Sequence, residues 1–246
     1  VRAPTVAAVS TVPAGPSAGP ARPVPEVTAV TDPAPEAVVR ERNRRGQGGR
    51  LRADIVAAAT ALLDESGTGE AVTLRAVARR AGITAPAIYP HFPHREAILL
   101  AVVQDAFAEL HEQLRTATTA GDPVARMHQA CAAYLAFAAD RPHRYRAMFG
   151  GVWNTEQALE RDEVDAADLT ALGRDALLVL ATCLQDCVDA RRSASRDAGA
   201  DAVALWLGLH GLADQRAVTA AFPWPPDITD RLVAPLARLL PGAPQD

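Results

Sequence analysis

The sequence predicts an all-α protein with two helical modules behind a Pro-rich tail. Three observations carry that expectation. About a fifth of the 246 residues are alanine and leucine is abundant, whereas aromatics make up 4%. Strands favour β-branched and aromatic side chains, while Ala and Leu favour helices. Apolar residues recur at spacings of three and four through most of the chain after Arg50, which is the helical period. Charge is also unevenly placed. Residues 1–39 hold two Arg and three acids, residues 40–96 ten Arg and six acids, and residues 97–246 thirteen Arg and twenty acids. The net of −4 therefore averages −1, +4 and −7 over the three stretches. A small basic module joined to a larger acidic one is the organisation expected when only one of them meets a polyanion.

Other classes are excluded by simple criteria. No run approaches the roughly 18 apolar residues of a membrane span, and no apolar h-region follows the N-terminal charges, so a cytoplasmic protein without membrane contact is expected. Cys131, Cys183 and Cys187 have neither Cys-x-x-Cys nor Cys/His ligand spacing. This predicts no metal site, no cofactor and a reduced compartment. Cys183 and Cys187 stand at i and i+4 on one helix, where they read as buried helix cysteines or as a thiol sensor.

The elements follow in order. Residues 1–39 contain eight prolines, a composition that sustains neither helix nor packed core and predicts disorder. Arginines cluster at 40, 42, 44, 45, 50 and 52, as a solvated arm or as phosphate contacts preceding a DNA-binding helix. A first helix is expected from about Arg50, with Leu51, Ile55, Ala58 and Leu62 on its stripe, ending at Ser66-Gly67. Thr73 is an N-cap candidate for a second, short helix with Leu74, Val77, Ala78 and Ala81 on its apolar face. Gly82 suits a left-handed turn, and Ile83 plugs the gap between helices. Thr84 offers a further cap, with Ala85 and Pro86 in the first turn of a third helix. Ile88 and Phe92 face the core. Pro90 disfavours α conformation in Tyr89, so this helix is expected to stop at Ile88 or Tyr89. Helix, glycine turn and helix within so few residues is the spacing of a helix-turn-helix, whose second helix enters the major groove.

The stretch Thr73-Leu74-Arg75-Ala76-Val77-Ala78-Arg79-Arg80-Ala81-Gly82-Ile83-Thr84-Ala85-Pro86-Ala87-Ile88-Tyr89-Pro90-His91-Phe92, continued by Pro93-His94-Arg95-Glu96-Ala97-Ile98-Leu99, closely resembles the signature of TetR-type transcriptional regulators. Residues 141–149 together with Trp206, His210 and Gly211 resemble the C-terminal domain of one branch of these regulators, marked by Trp, His and Gly. The resemblance implies a three-helix DNA-binding domain at 40–96 and a helical effector and dimerisation domain at 97–246. It implies phosphate contacts from Thr73, Thr84, Tyr89, His91 and Arg95, with Ala85 and Pro86 at base edges, where they offer only apolar surface suited to thymine methyl groups. Arg45 and Arg50 would add backbone or minor-groove contacts. Each of these residues also has a plain reading, Thr73 as a cap above all.

In the acidic module one long helix is expected at 95–117, with Ile98, Val102, Ala106, Leu110 and Leu114 on a stripe, followed by 123–139, a short helix to Phe149, then 165–192, 200–221 and 227–240. Pro235 predicts a kink or early break in the last. The resemblance implies a homodimer through 200–221 and 227–240, with Gly208 and Gly211 allowing close approach. Met127, Tyr134, Phe137, Met148, Phe149, Trp153, Trp206 and His210 concentrate the large soft residues of an aromatic-poor chain. They predict either a pocket for a small lipophilic effector or simply a filled core. The function implied is a ligand-responsive repressor binding double-stranded operator DNA as a dimer, or an activator of the same fold. An enzyme has little to work with: no G-x-S-x-G, phosphate loop or helix-borne metal motif is present, and His210 with Asp214 is the nearest polar pair. Sequence-indifferent DNA coating is disfavoured by the modest +4 of residues 40–96.

Overall fold

The computed structural model describes residues 48–149 and 155–241. The tail 1–39, Arg45 and Trp153 lie outside the described residues. Among those described are ten α-helices: α1 Gly48–Ser66, α2 Leu74–Ala81, α3 Arg95–Ala117, α4 Pro123–Asp140, α5 Pro142–Phe149, α6 Thr155–Glu160, α7 Ala166–Ala171, α8 Arg174–Asp189, α9 Ala198–Val218 and α10 Ile228–Leu236. The expected all-α class holds, and the long helix at 95–117 is α3. A single isolated bridge, Ser193 to Leu239, is the extended pairing found among the described residues.

The helix ends follow local chemistry. Thr73 accepts a hydrogen bond from the Ala76 amide at 3.2 Å and starts α2. Asp122 does the same for Ala125 at 2.9 Å before α4, and Asp197 for Ala200 at 3.0 Å before α9. Gly82 closes α2 with φ of 67°, in the left-handed region that glycine adopts without a Cβ penalty.

Two expectations are corrected. The third element of the N-terminal module is not an α-helix but a single 3-10 turn, Ala85–Ala87, with Ile88 following in the αR region. Pro86 and Pro90 have no amide to donate, and the bonds of the turn itself run over three residues, Ala87 N to Thr84 O and Ile88 N to Ala85 O, with one bond over four residues following at Phe92 N to Ile88 O. Thr84 makes no side-chain cap bond. Second, the helix expected at 165–192 is split into α7 and α8 by Gly173 at φ 73°, and α8 ends at Asp189. The early break expected at Pro235 is found: α10 stops at Leu236, one residue after it. The Leu239 amide turns back to the Ala234 carbonyl, and the following chain hydrogen-bonds to the 192–194 segment.

Two buried clusters organise the packing. The first gathers Ile55, Leu63, Val77, Ile88, Phe92 and Ile98 from α1, α2, the 3-10 turn and the start of α3, and admits Ala147 of α5. The second gathers Leu110 and Leu114 of α3 with residues of α4, α5, α8, α9 and α10, including Met127, Tyr134, Phe137, Leu180 and Leu205. Two helices, α3 and α5, therefore lie in both cores. A second tie is electrostatic. Arg144 of α5 donates from Nε and Nη2 to Asp64 of α1 at 3.1 and 3.0 Å, and from Nη1 to Glu109 of α3 at 2.6 Å.

Candidate nucleic-acid interface and sensor core

The first candidate surface is built on the 73–95 stretch. Val77, Ile88 and Phe92 are buried, and they hold the intervening polar residues outward. Thr73, Thr84 and Pro86 are exposed, Ala85 and His91 are half-buried, and Tyr89 is 55% exposed. An exposed tyrosine beside a buried Ile88 is a side chain held off the core by its backbone. The Thr73 hydroxyl accepts the cap bond and keeps its own O–H to donate. The Thr84 hydroxyl has no cap bond at all.

Arg95 departs from its expected place as a phosphate ligand. Its Nε donates to the Val72 carbonyl at 2.8 Å, its Nη2 to the Gly69 carbonyl at 2.5 Å, and its Nη1 to Glu96 at 3.3 Å. The guanidinium thus braces the turn before α2. The amide bond that starts α3 is taken instead by His94, whose Nδ1 accepts from Ala97 at 3.1 Å.

The arginines of α2 divide in two. Arg80 forms a fork to Glu65 at 2.8 and 2.6 Å, which holds the Glu65 carboxyl below its ordinary pKa and raises that of Arg80. Arg75 and Arg79 are exposed, and their side chains have no hydrogen-bond or ion-pair partner among the described residues. Sequence reasoning passed over these two, although an arginine in the last turn of the first helix of such a motif was a visible signal. Arg50 is exposed at the start of α1. Arg52 lies over the Phe92 ring at 4.8 Å.

The sensor residues fall into two groups. Met127, Tyr134 and Phe137 are buried in the second core, whereas Met148, Phe149 and Trp206 pack against it half-buried. Around Phe149 the rings of His210, Tyr145, Phe107 and Trp206 lie at centroid distances of 4.6, 5.0, 5.4 and 5.8 Å. A polar thread runs through this cluster: Tyr134 Oη lies 3.0 Å from Tyr145 Oη, which lies 2.7 Å from His210 Nδ1. Burial pushes the Tyr134 phenol up to about 12, and Tyr145 higher still. Both remain protonated and supply the O–H groups that the thread needs. His210 is thereby bonded to Tyr145, while Asp214, its expected polar companion, is exposed.

The three thiols are buried. Burial raises Cys131 to about 12 and Cys187 to about 11, and lifts Cys183 as well. Thiols are reactive as thiolates, so this placement is that of small core residues. No group of three or more His, Cys, Asp or Glu able to hold a metal occurs among the described residues. No helix there is long and apolar enough to cross a membrane.

Comparison with known proteins agrees with this geometry. Residues 55–102 match the sequence model of the bacterial regulatory proteins of the tetR family, and residues 127–240 match that of the tetracyclin repressor-like C-terminal domain. No curated protein matches the sequence. Among solved structures, a protein of unknown function from Rhodococcus sp. RHA1 superposes with a TM-score of 0.61 at 23% identity, covering 79% of this chain and 95% of its own. A bacterial regulatory protein of the tetR family from Rhodococcus RHA1 gives 0.54 at 19% identity, covering 77% and 96%. The fatty acid degradation regulator FadR from Bacillus halodurans gives 0.57 at 16% identity, covering 83% and 99%. At these identities the structures speak for the fold, and the two sequence models, which together span more than half of the chain, speak for the family. The chain belongs to the TetR family of bacterial regulatory proteins, and it is a DNA-binding transcriptional regulator.

Proposed function

We propose that the chain is a ligand-responsive repressor that binds a palindromic operator as a homodimer. The observation that carries this reading is the double membership of α3, whose first turns pack in the core beneath Tyr89 and whose last turns pack in the sensor core. A ligand that prefers one tilt of α3 changes the placement of the DNA-reading surface, and it acts only through that difference in affinity. In this reading 40–96 is the reader and 97–246 the sensor. Thr73, Thr84, Tyr89 and His91 meet phosphate, Ala85 and Pro86 face base edges, and Arg75 and Arg79 join them as cations. Arg95 acts as a brace from within. Most of these contacts position the protein and few specify sequence.

The dimer is supported by α9. Val203, Leu207, Gly211 and Val218 fall within one stripe of that helix, and Val203, Leu207 and Val218 are 38%, 57% and 80% exposed. A Cβ on Gly211 would meet nothing within 4 Å, so this side of α9 is open. Gly208 differs: a Cβ there would meet Leu236 Cδ1 at 2.6 Å, so it serves the approach of α10 within the chain. Two recognition surfaces on one face of B-DNA must lie about 34 Å apart, and a two-fold dimer meets that condition on a palindrome.

The test is selection of duplexes from random DNA with the full chain. The reading expects an enriched palindrome bound by an even number of chains. Enrichment of no sequence over bulk DNA refutes it.

A further inference from the structure

The 3-10 turn of the reader presents no hydrogen-bonding side chain. Between Thr84 and Tyr89 the chain runs Ala85-Pro86-Ala87-Ile88. Ile88 is buried, Ala85 and Ala87 are half-buried and Pro86 is exposed. The main chain of the turn is largely spent within it. The Ala87 and Ile88 amides bond the Thr84 and Ala85 carbonyls at 3.0 and 3.1 Å, and Pro86 has no amide hydrogen. Ile88 and Phe92, both buried, anchor the turn from below, and the fixed φ of Pro86 and Pro90 stiffens it. Its surface is therefore a small, rigid, apolar one.

The polar groups around the turn supply no base code of their own. Arginine, lysine, asparagine and glutamine, which read guanine and adenine with two hydrogen bonds each, are absent from residues 84–91. Thr84 and Tyr89 are exposed hydroxyls. A hydroxyl both donates and accepts, so it pairs with either kind of base edge. Arg75 and Arg79 stand on α2, and the first helix of such a motif crosses the phosphate backbone. His91 is half-buried and meets phosphate in the proposed reading. What remains for the bases is carbon, and the major groove offers carbon one partner, the methyl group on C5 of a pyrimidine.

We infer that the reader recognises C5-methylated pyrimidines and does not distinguish 5-methylcytosine from thymine. The inference rests on the proposed placement of Ala85 and Pro86 at base edges, and it names the chemistry recognised there. A thymine·adenine pair and a 5-methylcytosine·guanine pair hold the methyl group at the same place in the groove and exchange the donors and acceptors beside it. Ala85 and Pro86 have no side-chain group that senses the exchange, whereas both pack against the methyl. Burial of one methyl group is worth about fourfold in affinity. Unmethylated cytosine and uracil form the weaker class. Methylation of a cytosine at a contacted position therefore strengthens binding, which makes occupancy of the operator sensitive to cytosine methylation of the DNA.

The test is fluorescence anisotropy of the full chain on variants of its selected duplex, all at one salt concentration. Thymines are replaced by uracil one at a time, and each contacted position should lose about fourfold. At those positions the thymine·adenine pair is then exchanged for cytosine·guanine, with and without the 5-methyl group. The methylated pair should bind as thymine does, and the unmethylated pair as uracil does. Ala85→Ser/Pro86→Ser, checked for helicity by circular dichroism, should bring the thymine-over-uracil ratio close to one. Uracil that binds as well as thymine at every position overturns the inference. So does 5-methylcytosine that binds no better than cytosine, or a ratio that the folded double variant keeps. Each of these results leaves the DNA-reading role standing, whereas selection of no duplex removes both claims.

Discussion

Replacing Arg144 by methionine removes the three hydrogen bonds that tie α5 to α1 and α3 while keeping most of the side chain's length. Fully desolvated bonds to charged groups contribute about 1.5 to 3 kcal/mol each, but this network is wetter than that. The side chains of Arg144, Glu109 and Asp64 are 25%, 30% and 37% exposed. Glu109 also keeps a second cation, since Arg141 Nε lies 2.6 Å from its Oε1. Asp64 keeps none among the described residues. Discounting for solvent screening leaves about 2 kcal/mol of lost stability. For a chain of this size that is a fall in Tm of about 4 to 8 °C, read by circular dichroism. A double-mutant cycle with Asp64→Asn should return a coupling of about 1 kcal/mol. A Tm unchanged within about 1 °C, or a cycle that closes to zero, would refute the claim that this arginine joins the two cores.

Three further outcomes are expected. Gly82→Ala and Gly173→Ala both place a side chain at positive φ, 67° and 73°, but only the second meets a neighbour, at 2.7 Å from Phe107. Urea titrations should show a loss of about 1 kcal/mol for the first and at least twice that for the second; equal losses would contradict the packing of Phe107 under the α7–α8 corner. The three thiols, held protonated by burial with Cys131 near 12 and Cys187 near 11, should resist a disulfide reagent at pH 8 in the folded chain and react promptly in guanidinium, and fast reaction when folded would restore a sensor role. Leu207→Arg, on the exposed stripe of α9, should give a monomer in analytical ultracentrifugation where the native chain gives the proposed dimer, without lowering helicity, whereas an unchanged sedimentation coefficient would place the interface elsewhere.

Which features the sequence revealed depended on how local their causes are. α3 was legible to the residue, because its stripe of Ile98, Val102, Ala106, Leu110 and Leu114 is unbroken and all five are buried. Thr73 and Gly82 were legible because a cap and a left-handed turn are chosen by one or two residues. The α7–α8 break was legible in principle: Leu172 and Leu177 are five apart, a jump in helical phase, and a glycine stands between them. The 3-10 turn at Ala85–Ala87 was half legible, since Pro90 announced an early stop but Pro86, in the first turn, gave no sign that the bonds would run over three residues. Arg95 was misplaced because its partners are carbonyls 23 and 26 positions away. Arg144 lay further still from local reasoning, its partner Asp64 being 80 positions distant. Of the sensor residues, the sequence brought out the large and aromatic ones, which fill or flank the core.

The central claim is that the 73–91 surface reads DNA. The most direct measurement is the affinity of the full chain for its selected duplex relative to a random duplex of equal length, at one salt concentration, for the native chain and for Tyr89→Ala. Tyr89 is 55% exposed and adds little to the core, so the substitution leaves the fold intact. The account predicts a preference of about a thousandfold or more for the selected duplex and a loss of about tenfold in affinity on substitution. Equal affinity for the two duplexes, or an affinity indifferent to Tyr89, would contradict it.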